Sequence, residues 1–230
     1  RDVKKLDRQD DRAAARLFSA STLEFIIQHN STNLGLIAYL FVFGEMVDAY
    51  QNRKMSHLER IKLLLRAKFF KEIWKSFLKE AGYSTCRHFI SKEADDIMDI
   101  VIDGYLGLVY IHRDTLIIRF PLLPWMHGTE PNEHSFGFLR IMIPDFTMLD
   151  VLRAIPKLRV RLMAACKQKN SKVNLQRSAA GYTHTYSDGD DADLHFLSIF
   201  PSDAKISSTA KDAYEEAVMI WEILGYYPSA

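Results

Sequence analysis

Apolar residues along this chain recur mostly at helical spacing, three and four apart, and no convincing run of strict alternation interrupts them. Leu17, Phe18, Leu23, Phe25, Ile26 and Ile27 form the apolar positions of a helical region over 9–30, after an alanine run at 13–15. A second, strongly apolar helix is predicted from about Asn33 to Asn52. Ser56 and Glu59 stand three apart, as in a capping box, and open a long amphipathic helix of roughly 25 residues, about 38 Å, that Gly82 stops. Its apolar steps, Ile61, Leu64, Leu65, Phe69, Ile73 and Phe77, are only imperfectly periodic, and its lysines are expected on an exposed opposite face.

Ser91 caps the next helix, whose first turns carry Glu93, Asp95 and Asp96, where carboxylates oppose the helix dipole. The two prolines of Leu116–Met126 forbid a continuous helix and predict an extended, buried connector. Thr129 reads as an N-cap, with Pro131 in the first turn of a short helix over 130–141. Pro144 ends that helix and Thr147-Met148-Leu149-Asp150 restarts one, with a kink expected near Pro156. Residues 170–192, rich in Ser, Asn, Gly and Asp, read as a linker. A final helix from 207–209 to about Gly225 presents Ala213, Ala217, Ile220 and Leu224 as one stripe. The expected fold is therefore mainly α, with at most one or two short strands near 109–120 or 194–200.

Composition changes this picture little. In 230 residues, 48% hydrophobic and 26% charged, there is enough apolar surface to build a sizeable core. The longest apolar run, Leu34 to Phe43, is about half the ~20 residues a membrane span needs. The first residues, RDVKKLDRQDDR, lack the apolar stretch of a secretory signal. Cys86 and Cys166 stand far apart, which argues against a disulfide framework and for a reducing compartment.

Charge is more informative, because a net charge of +1 conceals segregation. Nine Lys or Arg lie between Arg53 and Lys79 against Glu59 and Glu72, and eight lie between Arg153 and Arg177 with no acid. Asp188 to Ala230 holds nine acids against Lys205 and Lys211. Two basic surfaces able to meet phosphate follow from this, as does the plainer alternative of solvated helix faces.

The segment Gly128-Thr129-Glu130-Pro131-Asn132-Glu133-His134-Ser135-Phe136-Gly137-Phe138-Leu139-Arg140 carries the most specific signal. It resembles the helix around the last catalytic carboxylate of P-element-like and THAP-type cut-and-paste transposases, and the order of the surrounding elements is similar to fungal transposase-derived proteins. The resemblance implies a ribonuclease-H-like parent, two Asp residues before a helical insertion and a Glu after it, here Glu133. It implies two Mg²⁺ ions cleaving DNA in the intact parent, with Glu133 as one metal ligand. Strands bearing the two Asp residues are expected upstream of Arg1. Residues 1–127 are then mostly insertion domain, 128–169 the final catalytic-type and basic helices, 170–193 a linker and 194–230 an acidic helical segment. Arg140, Arg153, Lys157, Arg159, Arg161, Lys167 and Lys169 are the residues expected to hold DNA backbone.

Several residues have plainer roles available. Glu133 alone reads as a polar first-turn residue, with Glu130 its nearest competitor, and His127, His134 and Glu133 lack a standard zinc spacing. Asp95, Asp96, Asp99 and Asp103 read as a solvated face, and Trp74, Trp125, Phe136 and Phe138 as core. The resemblance implies a nuclear fragment of a transposase, inactive alone, with DNA as partner, no membrane and a homo-oligomer left open. The alternative is a helical DNA- or protein-binding module that never cut anything.

Overall fold

A computed structural model describes residues 11–116, 120–167 and 192–228. Among them are nine α-helices and no strand: α1 (Asp11–Leu17), α2 (Ala20–His29), α3 (Leu34–Gln51), α4 (His57–Glu80), α5 (Thr85–His88), α6 (Lys92–Tyr110), α7 (Glu130–Met142), α8 (Met148–Lys167) and α9 (Asp203–Ile223). The chain divides into two compact units, 1–122 with 193–230, and 123–192. The sequence instead placed a boundary after 127 and set 194–230 apart; α9 belongs with the first unit.

In that first unit the helix starts follow local hydrogen-bonding chemistry. The Ser56 hydroxyl accepts from the Glu59 amide at 3.1 Å, and the Ser91 hydroxyl from the Ala94 amide at 3.1 Å. Such caps contribute about 1 kcal/mol each by satisfying amides the helix leaves unpaired. Helix α4 is the longest, at 24 residues. It ends at Gly82, whose φ of +73° is a left-handed turn closed by the Tyr83 amide on the Leu78 carbonyl at 2.8 Å.

Helix α4 is central, with α3, α6 and α9 packed around it. One cluster joins Ala49, Ile61, Leu64, Ile102, Tyr105, Val109 and Ala213; a second joins Val42, Phe43, Ala67, Phe70, Ala217 and Trp221. Three neighbours explain the imperfect periodicity of α4, since a helix covered on several sides buries residues most of the way round. Small residues on α9, Ala213 and Ala217, let it lie close to α4, and the Trp221 indole donates to the Phe70 carbonyl at 3.0 Å. Gly44 of α3 serves a similar end, because a Cβ there would stand 3.0 Å from the Phe18 carbonyl oxygen.

Several expectations are corrected. Helix α9 starts at Asp203, capped by Ser202, so its buried stripe is Ile206, Thr209, Ala213, Ala217 and Trp221. Leu17, Phe25 and Ile27 are exposed rather than core; Phe18 packs on the second cluster instead. Among the described residues neither expected strand forms: Ile111–Thr115 is a π turn, Phe196–Ser198 a 3₁₀ turn, and a backbone hydrogen bond, Leu122 N–H to the Leu197 carbonyl at 3.1 Å, links the adjoining segments.

In the second unit, α7 and α8 pack on each other with Leu139 and Ala154 buried. Thr129 is not a side-chain cap; its backbone is already helical at φ −77°, ψ −23°, so its hydroxyl makes no capping bond. Thr147 and Asp150 do form a reciprocal box before α8, with the Thr147 hydroxyl 2.7 Å and its amide 3.0 Å from Asp150 Oδ2. Helix α8 runs on through Pro156. The linker expected at 170–192 lies outside the described residues, apart from its last position.

Candidate nucleic-acid interface

The two basic stretches are best judged by what stands opposite each cation. On α4, Lys71 is 1% exposed, its Nζ 2.6 Å from Asp95 Oδ1 and 2.7 Å from Asp99 Oδ2. Lys75 reaches the other oxygen of Asp95 at 2.5 Å, and Lys68 reaches Asp103 at 2.6 Å. Asp95, Asp99 and Asp103 of α6 are thus the partners of Lys68, Lys71 and Lys75, which corrects the reading of these residues as solvated faces, while Asp96 and Lys79 are exposed as expected. Burial opposes the charge on Lys71, yet its hydrogen bonds to Asp95 and Asp99 outweigh it and hold the ammonium above its ordinary pKa. For Asp95, burial is likewise outweighed by hydrogen bonds from Lys71 and Lys75, which keep the carboxyl below its usual range.

Lys62, Arg66 and Arg60 are also committed internally, whereas Lys79 in the last turn is exposed. Arg66 pairs with Glu45 of α3 and, at 3.1 Å, with Glu216 of α9, which also takes Lys62 at 2.5 Å. Arg60, fully buried, donates to the carbonyls of Ala49 and Asn52, so its charge lies at the negative end of α3. Local spacing gave no signal for these buried charges. His57 is buried as well, its Nε2 2.8 Å from the Leu197 carbonyl and its Nδ1 2.7 Å from the Tyr105 hydroxyl. A carbonyl only accepts, so Nε2 carries the proton and Nδ1 of the neutral ring accepts from Tyr105. Burial pushes His57 down to about 4 against its hydrogen bond to Leu197, with Arg60 and His112 adding to the depression.

Helix α8 is different. Arg153, Lys157, Arg159 and Arg161 are exposed, and among the described residues none forms an ion pair with an acid. Arg153, Lys157 and Arg161 are four apart, which puts them on one face about 6 Å apart along the axis. Arg159 projects from another side, beside the exposed Leu152, Ile155 and Met163. The buried Ala154 faces α7, so the basic stripe flanks the packed side. Lys167 ends α8 but its side chain lies outside the described residues, as does all of Lys169.

Helix α7 places Glu133 in its first turn, exposed, with its amide on the Thr129 carbonyl at 2.9 Å. Arg140, seven residues on, is exposed on the same face. The Phe136 ring stacks on Phe146 at 6.4 Å but is 48% exposed, so it is not the core residue expected; Trp125 is buried. Among the described residues no three His, Cys, Asp or Glu side chains converge as a metal site would require. A two-ion Mg²⁺ centre needs several carboxylates around each cation, and this donor set does not fit one. No described helix is long and apolar enough to cross a membrane. Compared with known proteins, the chain matches no family model, no curated protein and no solved structure.

Proposed function

We propose that this chain is a helical module that holds nucleic-acid backbone on α8, and that it descends from a cut-and-paste DNA transposase of the kind its 128–140 segment resembles. The observation that carries the reading is the exposure of Arg153, Lys157, Arg159 and Arg161, none in an ion pair with a described acid and only Arg153 with an acid, Asp150, close enough to feel its charge. Cations that have no internal partner keep their full attraction for phosphate, and those that have one lose it. In this reading α4 contributes nothing to binding, and the working surface is the Arg153–Lys157–Arg161 stripe, with Arg159 and Arg140 as outlying contacts.

Glu133 supports the ancestry on a narrower footing. An exposed carboxylate on the first turn of a rigid helix, in the same unit as a basic helix, is what a last metal ligand beside a DNA track would need. One such carboxylate cannot organise two-metal cleavage, so the chain alone binds without cutting. A DNA partner places it in the nucleus.

Filter binding of the whole chain to a short DNA duplex over a salt series tests this. Four to five phosphate contacts give a slope of log affinity against log salt of about −4, since each contact contributes about 0.9. Replacing Lys157, Arg159 and Arg161 together by Ala is expected to weaken binding to every sequence alike and to flatten the slope by about 3. The duplex is expected to stay uncut when Mg²⁺ is added. A triple variant that binds as the parent does, or a parent with no affinity at low salt, removes the proposal.

A further inference from the structure

The flank of α4 that meets Tyr214 of α9 carries a second feature. Lys68, Lys71 and Lys75 are held by Asp95, Asp99 and Asp103 of α6, and Lys62 by Glu216 of α9, while the side that meets Tyr214 of α9 carries Phe69, Glu72, Ser76 and Glu80. Two adjoining clefts open there, with Phe69 and Tyr214 as their shared wall. One, of about 340 Å³, is shallow and carries Lys211 and Glu215. The other, of about 220 Å³, is more enclosed, and its lining includes Glu72, Glu80 and Tyr226 with no Lys or Arg.

The geometry points to this second cleft as a binding site for an alkylammonium group. Phe69 and Tyr214 stand at 89° with ring centroids 5.4 Å apart, so two aromatic walls meet at a right angle, and Tyr226 also borders the space. Aromatic faces attract cations through the ring quadrupole, most strongly cations with a soft, poorly hydrated shell. The Tyr226 hydroxyl donates to Glu80 Oε2 at 2.9 Å and holds that carboxylate at the rim. Glu72, exposed and in no ion pair among the described residues, supplies a second negative charge. The volume falls below the roughly 300–1,000 Å³ of ordinary small-molecule pockets, which suits a group the size of one side-chain tip. Two carboxylates, aromatic walls and no lining cation together select a positive, carbon-covered head over an anion or a neutral apolar group. A small quaternary amine and a methylated lysine side chain share that chemistry.

The experiment is an NMR titration of the whole chain with choline, followed at the backbone amides of Tyr214, Ser76 and Tyr226. 3,3-Dimethyl-1-butanol, the same shape without the charge, is the control. Choline is expected to give saturable shifts in the millimolar range and the neutral isostere to bind at least about tenfold more weakly. Glu72→Gln, which removes charge and leaves packing alone, and Tyr214→Ala, which removes a wall, are each expected to weaken choline by about fivefold. A short uncharged peptide carrying one trimethyl-lysine separates the two sources: tighter binding than choline assigns the site to a modified protein, equal or weaker binding to a free amine. An isostere that binds as well as choline, the absence of saturable shifts, or Glu72→Gln binding unchanged overturns the inference.

Discussion

Helices α4 and α8 carry their cations at similar spacing, and the difference between them lies in what stands opposite. Asp95, Asp99 and Asp103 of α6 recur every fourth residue and meet Lys68, Lys71 and Lys75, while Glu216 and Glu45 take up Lys62 and Arg66. Helix α8 has Asp150 in its first turn and no acid beyond it, so Arg153, Lys157 and Arg161 face solvent. A run of positive charge therefore says little about binding until its neighbours are known. Where acids are in reach the cations become cross-links between helices, and where none are they remain available to a ligand.

This contrast fails most visibly if Lys71 is dispensable. Lys71→Ala leaves Asp95 held by Lys75 alone and takes from Asp99 its ion pair, and loss of one partner from a buried pair costs about 3–5 kcal/mol. Because Asp99 is 39% exposed and can be hydrated, the expected loss is at the lower end, about 3 kcal/mol by urea denaturation. An unchanged midpoint would mean that the α4 charges are not cross-links.

A titration of stability sharpens the same point at His57. The folded-state pKa near 4 lies below the unfolded value near 6.5, so the unfolded chain binds the proton first. The His57 contribution is therefore complete above about pH 6.5, falls as pH drops to about 4 and does not change further below it. Integrated over that window the loss is about 3 kcal/mol at most. In His57→Gln the slope between about pH 6.5 and 5 is expected to vanish, while the loss set by paired carboxylates such as Asp95 and Glu216 persists at lower pH. A variant with the parental slope would assign the acid sensitivity elsewhere.

The smallest effect belongs to α8. Exposed side chains with no internal partner contribute little to folding, so the Lys157, Arg159, Arg161 triple Ala variant is expected to shift stability by no more than about 0.5 kcal/mol. A shift of 2 kcal/mol or more would show that these cations have internal partners after all.

What could be read from the sequence was local. Ser56, Ser91 and the Thr147–Asp150 box announce helix starts because a cap is decided within three residues, and Asn33 and Asn52 bracket α3 for the same reason. Helix α9 starts earlier than its Ser207–Thr209 cluster suggested because packing of Ile206 and Thr209 on α4 outweighs the turn preference of those residues. The fate of the α4 lysines depends on contacts far along the chain, 24 residues from Lys71 to Asp95 and 35 from Lys68 to Asp103. A signal existed, since Asp95, Asp99 and Asp103 keep a strict four-residue step, but it becomes meaningful only when matched to a second helix. Arg60 gave none: its partners are main-chain carbonyls, which every residue possesses. For the same reason the Phe69–Tyr214 cleft, built from residues 145 apart, has no sequence signature.

The hydrogen bond between Leu122 and Leu197 bears on how this chain tolerates change in length. It ties together the backbone where the first unit breaks off and where it resumes, so everything between hangs from one closed ring. Holding the ends of that ring together costs an entropy that grows by about 0.6 kcal/mol per doubling of its length. A change in the number of residues between Leu122 and Asp193 is therefore expected to cost the α3–α4–α6–α9 core little in closure entropy.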